Sequence, residues 1–120
     1  MIINGKKYIV ISNQKMTRKL YLNEILYISH QSRRTDFVTT NCKFYMYCPM
    51  KSIKEYLSDD FYFCGNNLII NLEKVISVES CEVIFENESK VQISRSVYVP
   101  LKQFYAAYLI EKRQKKIKET

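Results

Sequence analysis

Two short apolar runs, residues 61–64 and 68–70, flank the tripeptide Gly65-Asn66-Asn67. Runs of three or four aromatic and β-branched residues are too short for a helix and read as strands. Gly and Asn between them accept the positive φ that a tight turn needs, so the stretch is a β-hairpin. The flanks would be buried, and the tip would hold two carboxamides in solvent. Turn chemistry alone accounts for an Asn pair. A carboxamide is also the group that pairs bidentately with the edge of an adenine.

Only two Gly and two Pro punctuate the 120 residues, so Asn and Asp must make most of the turns. Residues 7–11 and 18–22 are strand candidates joined by a basic turn, and residues 25–28 are a continuous apolar run suited to a buried strand. Residues 29–34, reading SHQSRR, are expected to be a polar, basic loop. Strands at 36–40 and 43–48 follow as a hairpin; in the second, Phe44, Met46 and Cys48 alternate with Lys43, Tyr45 and Tyr47. Pro49 suits the first position of a short helix whose inner face is Met50, Ile53 and Leu57. Residues 75–78, 83–85 and 90–93 supply three further strands. Leu101, Phe104, Tyr105, Tyr108 and Leu109 recur at helical spacing, a face able to cover a sheet, with Pro100 in the first turn. Past Ile110 the apolar face stops and a fraying basic tail, 111–120, is expected. The fold class is mainly β, with one short helix and one C-terminal helix, in a single domain without internal repeats.

Charge narrows the partners. Nineteen Lys and Arg oppose twelve Asp and Glu, giving +7, of which the last ten residues supply +3. Residues 73–90 are acidic, with five Glu against Lys74 and Lys90. Segregation of this kind suits a polyanion on one side and water on the other, or simply a soluble basic surface. Cys42, Cys48, Cys64 and Cys81 include no C-x-x-C pair, and His30 is the lone histidine, so no metal and no cofactor are expected. No nucleophile motif or phosphate-cradling Gly loop accompanies them, which argues against an enzyme and a small-molecule substrate. No signal peptide or membrane-length apolar stretch is present, so a cytoplasmic protein with reduced thiols is expected; Cys64 reads as a buried small hydrophobe. The bias toward Lys, Ile, Asn, Tyr and Phe points to an A·T-rich genome. What remains for function is three polar insertions between strands: 29–34, the GNN turn, and Ser94-Arg95-Ser96, with Arg95 also suited to an ion pair or cap at the helix start.

The order and wording of these pieces resemble the LytTR family of bacterial DNA-binding domains. The residues that carry the resemblance are EILYI at 24–28, MKSIKEYL at 50–57, residues 61–71, VQISRS at 91–96, and Leu101-Lys102. It covers about residues 6–109, which makes 1–110 the LytTR-like domain and 111–120 the tail. The resemblance implies small antiparallel sheets and a promoter-binding regulator, like the output domain of a response regulator but standing alone without a receiver domain. It implies that loops between sheets enter successive grooves without a recognition helix. By position, Arg34, Thr35, Asn66 and Arg95 would read bases. Ser32, Asn67 and Ser96 would hold phosphates, with Arg33 beside them in the first basic loop.

The expected partner is double-stranded promoter DNA, with a second copy on an adjacent repeat and an inhibitory membrane protein as further partners that the resemblance implies. This chain departs from the family's usual turn, approximately R-x-H-R-S, by having Phe63, Gly65, Asn66 and Asn67. That departure motivates the alternative of a LytTR-fold interaction module with weakened or lost DNA binding. A single-stranded nucleic-acid binder is a weaker rival, since the alternation of tyrosines follows sheet faces rather than a stacking platform.

Overall fold

The computed structural model describes residues 7–119, which form two compact units that divide between Lys74 and Val75. The first contains two antiparallel sheets. In the smaller, β1 (Tyr8–Ser12) pairs with β2 (Thr17–Tyr21). Ile9, Ile11 and Leu20 turn inward, while Tyr8 and Val10 face out, the period-2 pattern of a half-buried strand. Asn13 makes the connection: its Oδ1 accepts from the amides of Lys15 (2.8 Å) and Met16 (3.2 Å), and its Nδ2 donates to the Tyr45 carbonyl (2.7 Å). That is the expected turn work of an Asn in a chain poor in Gly.

The larger sheet has five strands: β3 (Ile25–Gln31), β4 (Arg34–Thr39), β5 (Lys43–Tyr47), β6 (Phe61–Phe63) and β7 (Leu68–Asn71), in the order β5-β4-β3-β7-β6. Ile25, Ile28, Phe37, Phe61 and Ile69 from its inner face join Ile9, Ile11 and Leu20 in one core. Each such side chain, fully buried, contributes about 1.5–3 kcal/mol. Met50 and Ile53 close this core, as their spacing predicts, but the segment after Pro49 is two short 3-10 turns, Met50–Ser52 and Lys54–Tyr56, rather than one helix. Burying just two anchors needs no longer element.

Residues 29–34 also differ from expectation. β3 continues through His30 to Gln31 and β4 begins at Arg34, so the polar stretch is a strand end and a two-residue turn instead of a loop. The polar residues extend the ladder past the core, where alternation no longer has to be apolar.

In the second unit, β8 (Val75–Glu79), β9 (Glu82–Phe85) and β10 (Lys90–Gln92) form a three-stranded antiparallel sheet in the order β10-β9-β8. Helix α1 (Arg95–Glu119) packs against β8. Val83, Phe85 and Leu101 are fully buried, and the Tyr105 hydroxyl donates to the Val75 carbonyl at 2.5 Å. The helix buries a narrower face than its spacing suggests, because Phe104 and Leu109 remain about half exposed, at 49% and 47%. Its bounds also differ. It starts at Arg95, so Pro100 lies inside it and removes the amide that would bond the Ser96 carbonyl. It continues through residues 111–119 instead of fraying at Ile110, as a run of Lys, Arg, Gln and Glu without Gly or Pro permits.

Candidate nucleic-acid interface

The β3–β4 turn is Ser32-Arg33, with φ of 52° and 70°. Two positive φ values are what a tight hairpin with the natural strand twist requires, and the usual occupants are Asn and Gly. Each L-residue there costs about 1–2 kcal/mol relative to a relaxed backbone. Both side chains are exposed, and Arg33 has no side-chain hydrogen bond or ion pair among the described residues.

Arg34 is held. Its Nε lies 3.1 Å from Asp36 Oδ1 and its Nη2 3.4 Å from Oδ2, and the guanidinium sits over the Tyr45 ring at 5.6 Å. The carboxylate takes one edge of the fork and leaves the Nη1 edge toward solvent. Thr35 is fully buried, and its hydroxyl donates to the Cys48 carbonyl at 2.8 Å. Its side chain therefore fixes the strand end from inside and presents no surface group for the base-reading role that the resemblance implies for it.

The β6–β7 connection is Gly65-Asn66-Asn67, closed by Cys64 N donating to the Leu68 carbonyl at 2.8 Å. Only Gly65 has positive φ, at 96°, and a Cβ there would meet nothing within 4 Å. Neither asparagine uses the left-handed region, and neither side chain makes a hydrogen bond among the described residues. The Asn pair is thus not doing the turn work that Asn13 does. Cys64, just before the turn, is half-buried, and burial pushes its thiol up to about 12, the state of an inert packing group.

Register joins the two turns. Ser29 of β3 pairs with Leu68 of β7, and the His30 amide donates to the Asn67 carbonyl at 3.0 Å. Since β3 and β7 are antiparallel neighbours, both turns stand at one end of the five-stranded sheet. That end carries Ser32, Arg33, Arg34, Asn66 and Asn67, all exposed, with acceptors and donors that the protein itself leaves unused except at Arg34.

In the second unit, Arg95 and Ser96 are exposed in the first turn of α1. Ser94 caps this turn: its Oγ accepts from Val97 N at 3.4 Å, and its carbonyl from Tyr98 N at 2.9 Å. Ser96 Oγ lies 3.0 Å from Ser94 Oγ. Capping thus falls to Ser94, and Arg95 has no ion pair among the described residues.

A sequence model described as the LytTr DNA-binding domain matches residues 15–106, most of the chain. The chain belongs to the LytTR family. A solved structure, the LytTr DNA-binding domain of a protein described as a methyl-accepting/DNA response regulator from Bacillus cereus, superposes with a TM-score of 0.64. It is 15% identical, and the match covers 89% of this chain and 96% of that one, a likeness of fold. No match is found among curated proteins. As a LytTR domain the chain is in general terms a DNA-binding regulator, of mostly-β fold and of the kind found as a response-regulator output. Such domains are DNA-binding rather than enzymatic. No helix among the described residues is long and apolar enough to cross a membrane.

Two residues important to this LytTR domain escape a sequence reading. Asn71 is 1% exposed; its Nδ2 donates to the Ile25 carbonyl at 2.9 Å and its Oδ1 accepts from Glu73 N at 3.1 Å, which ties β7 to the start of β3. Lys54 lies with its ammonium 5.0 Å over the Phe63 ring. Asn71 reads in sequence as a strand end before a charged turn, and nothing in the spacing of Lys54 and Phe63 links them.

Proposed function

We propose that this LytTR domain binds double-stranded promoter DNA sequence-specifically, by inserting turns and not a helix into the grooves. The observation that carries the reading is the gathering at one sheet end of Ser32, Arg33, Asn66 and Asn67, whose side-chain polar groups the fold leaves unclaimed, beside Arg34, which Asp36 holds by one edge only. Asn66 reads a base through its carboxamide, and Arg34 offers the free edge of a guanidinium already oriented by Asp36. Ser32, Arg33 and Asn67 hold phosphates. Arg95 reads a base and Ser96 holds a phosphate from the first turn of α1. Thr35 acts from inside, by fixing the strand that carries Arg34. A second copy on an adjacent repeat, control by a membrane protein partner, and a cytoplasmic location complete the proposal.

The experiment is selection of a duplex from a random-sequence pool, followed by binding of variants to the selected duplex and a scrambled one at fixed salt. Asn66→Ala should cost about 1–3 kcal/mol on the selected duplex and little on the scrambled one. Asn67→Ala should weaken both alike. Equal losses on both duplexes for Asn66→Ala would make it a backbone contact. The neutrality of the GNN turn favours a second reading, an interaction module that has kept the fold. Failure of the pool to yield any enriched sequence would make that reading the better one.

A further inference from the structure

Each outer strand of the five-stranded sheet carries an aromatic ring with a cation over it. On β5 the ring is Tyr45 and the cation Arg34; on β6 the ring is Phe63 and the cation Lys54. The two lie on opposite faces of the sheet. Arg34 alternates with buried Thr35, so it projects from the outer face, whereas Phe63 is paired with buried Ile69 and projects from the inner one. Both belong to the end that carries the turns, since Arg34 opens β4 and Phe63 closes β6.

Phe63 lies on the inner face at that end and the core leaves it 36% exposed. Lys54 is exposed in the segment that closes the core, and it could extend into water in any direction; its ammonium instead rests on this ring. Asn66 follows Phe63 by three residues, so its Cα lies within about 11 Å of that of Phe63 along the chain. The turn itself carries no charge, and the Lys54 ammonium over the Phe63 ring is a cation supplied by another segment to the strand that leads into it.

We infer that Lys54, positioned by Phe63, is a phosphate-binding residue of the duplex interface, on the opposite face of the sheet from Arg34. A groove has two walls, each a sugar–phosphate strand, and a sheet is about as thick as the major groove is wide. A sheet end entering it with one cation on each face meets both walls. The ring keeps the lysine at the rim, so that less freedom is lost when a phosphate is bound. This rests on the DNA-binding reading above and adds to it a contact from outside the turns.

The test uses the full chain and a mixed-sequence duplex several turns long, titrated over a series of KCl concentrations. Lys54→Gln should lower the magnitude of the log affinity against log salt slope by about one, with similar losses on selected and scrambled DNA. Phe63→Leu should weaken binding with the charge retained, and Phe63→Tyr should restore it. Combined with Lys54→Gln, Phe63→Leu should cost nothing further. The upfield ring-current shift of the Lys54 ε-methylene protons, read by NMR without DNA, should disappear in Phe63→Leu and survive in Phe63→Tyr. An unchanged slope in Lys54→Gln with binding intact would overturn the proposal alone. Additive losses from the two sites would overturn the positioning role of Phe63. No binding by the unsubstituted chain at low salt would remove the DNA reading and this contact together.

Discussion

Arg33 occupies a backbone conformation that glycine adopts more cheaply, with φ of 70° in a turn flanked by two well-paired strands. Its side chain makes no compensating contact within the described residues, so the strain of about 1–2 kcal/mol is met by the rest of the fold. Strain kept at a solvent-exposed cation is the pattern of a residue retained for its contact with something else. Arg33→Gly should therefore raise the unfolding free energy by about 1 kcal/mol while lowering duplex affinity on every sequence. Denaturant unfolding and binding at fixed salt measure the two effects. A variant that loses both stability and binding would show that Arg33 is part of the fold. Ser80 and Cys81, with φ of 52° and 58° in the β8–β9 turn, are a comparison in the second unit, with the same geometry and no cationic side chain.

Among the elements, β7 is the one on which the proposed site depends most, because it carries the GNN turn at one end and Asn71 at the other. Asn71 is buried with donors and acceptor satisfied by backbone groups of two other segments. Asn71→Ala leaves the Ile25 carbonyl and the Glu73 amide without their partner and opens a small cavity, at a cost of about 2–3 kcal/mol. Thermal or denaturant unfolding should show this loss, and native hydrogen exchange should rise at the Glu73 amide before elsewhere in the sheet. A change under about 0.5 kcal/mol would mean that water replaces both bonds. The hairpin of β6 and β7 was legible from sequence because its apolar runs and its Gly-Asn turn agree locally. The extent of β3 and β4 was not, because the SHQSRR residues take strand geometry from their neighbours in the ladder, against their own propensity. Thr35, which the resemblance puts among the base-reading residues, is buried by the same extension of β4. Asn66 and Asn67 were legible as an exposed turn, whereas Ser32, Arg33 and Arg34 were legible only as a polar, basic stretch, since the first two form a tight turn without Asn or Gly and the third opens β4. Lys54 was not, since its ring partner lies in the next element, on β6, and no sequence spacing links a 3-10 turn to a strand.

At the scale of the whole molecule, charge is distributed unevenly between the two units. Residues 1–74 hold eleven basic and six acidic side chains, and residues 75–120 hold eight and six. Five of those eight basic groups fall in the last ten residues, so the second unit up to Ile110 is slightly acidic. Long-range attraction of a duplex therefore has two sources, the first unit and the basic end of α1, with Lys90, Arg95 and Lys102 the basic side chains between them. Residues 111–119 continue the helical backbone of α1. A helical cation array tracks a phosphate strand without reading bases, and its contribution is released by salt. Truncation after Ile110 removes a net +3 and should flatten the log affinity against log salt line while weakening selected and scrambled duplexes by similar factors. The ratio between the two duplexes should stay where it was, because Asn66, Arg34 and Arg95 are untouched. A collapse of that ratio with unchanged salt dependence would mean that the end of α1 reads sequence. It would then have to be counted with the turns as part of the recognition surface.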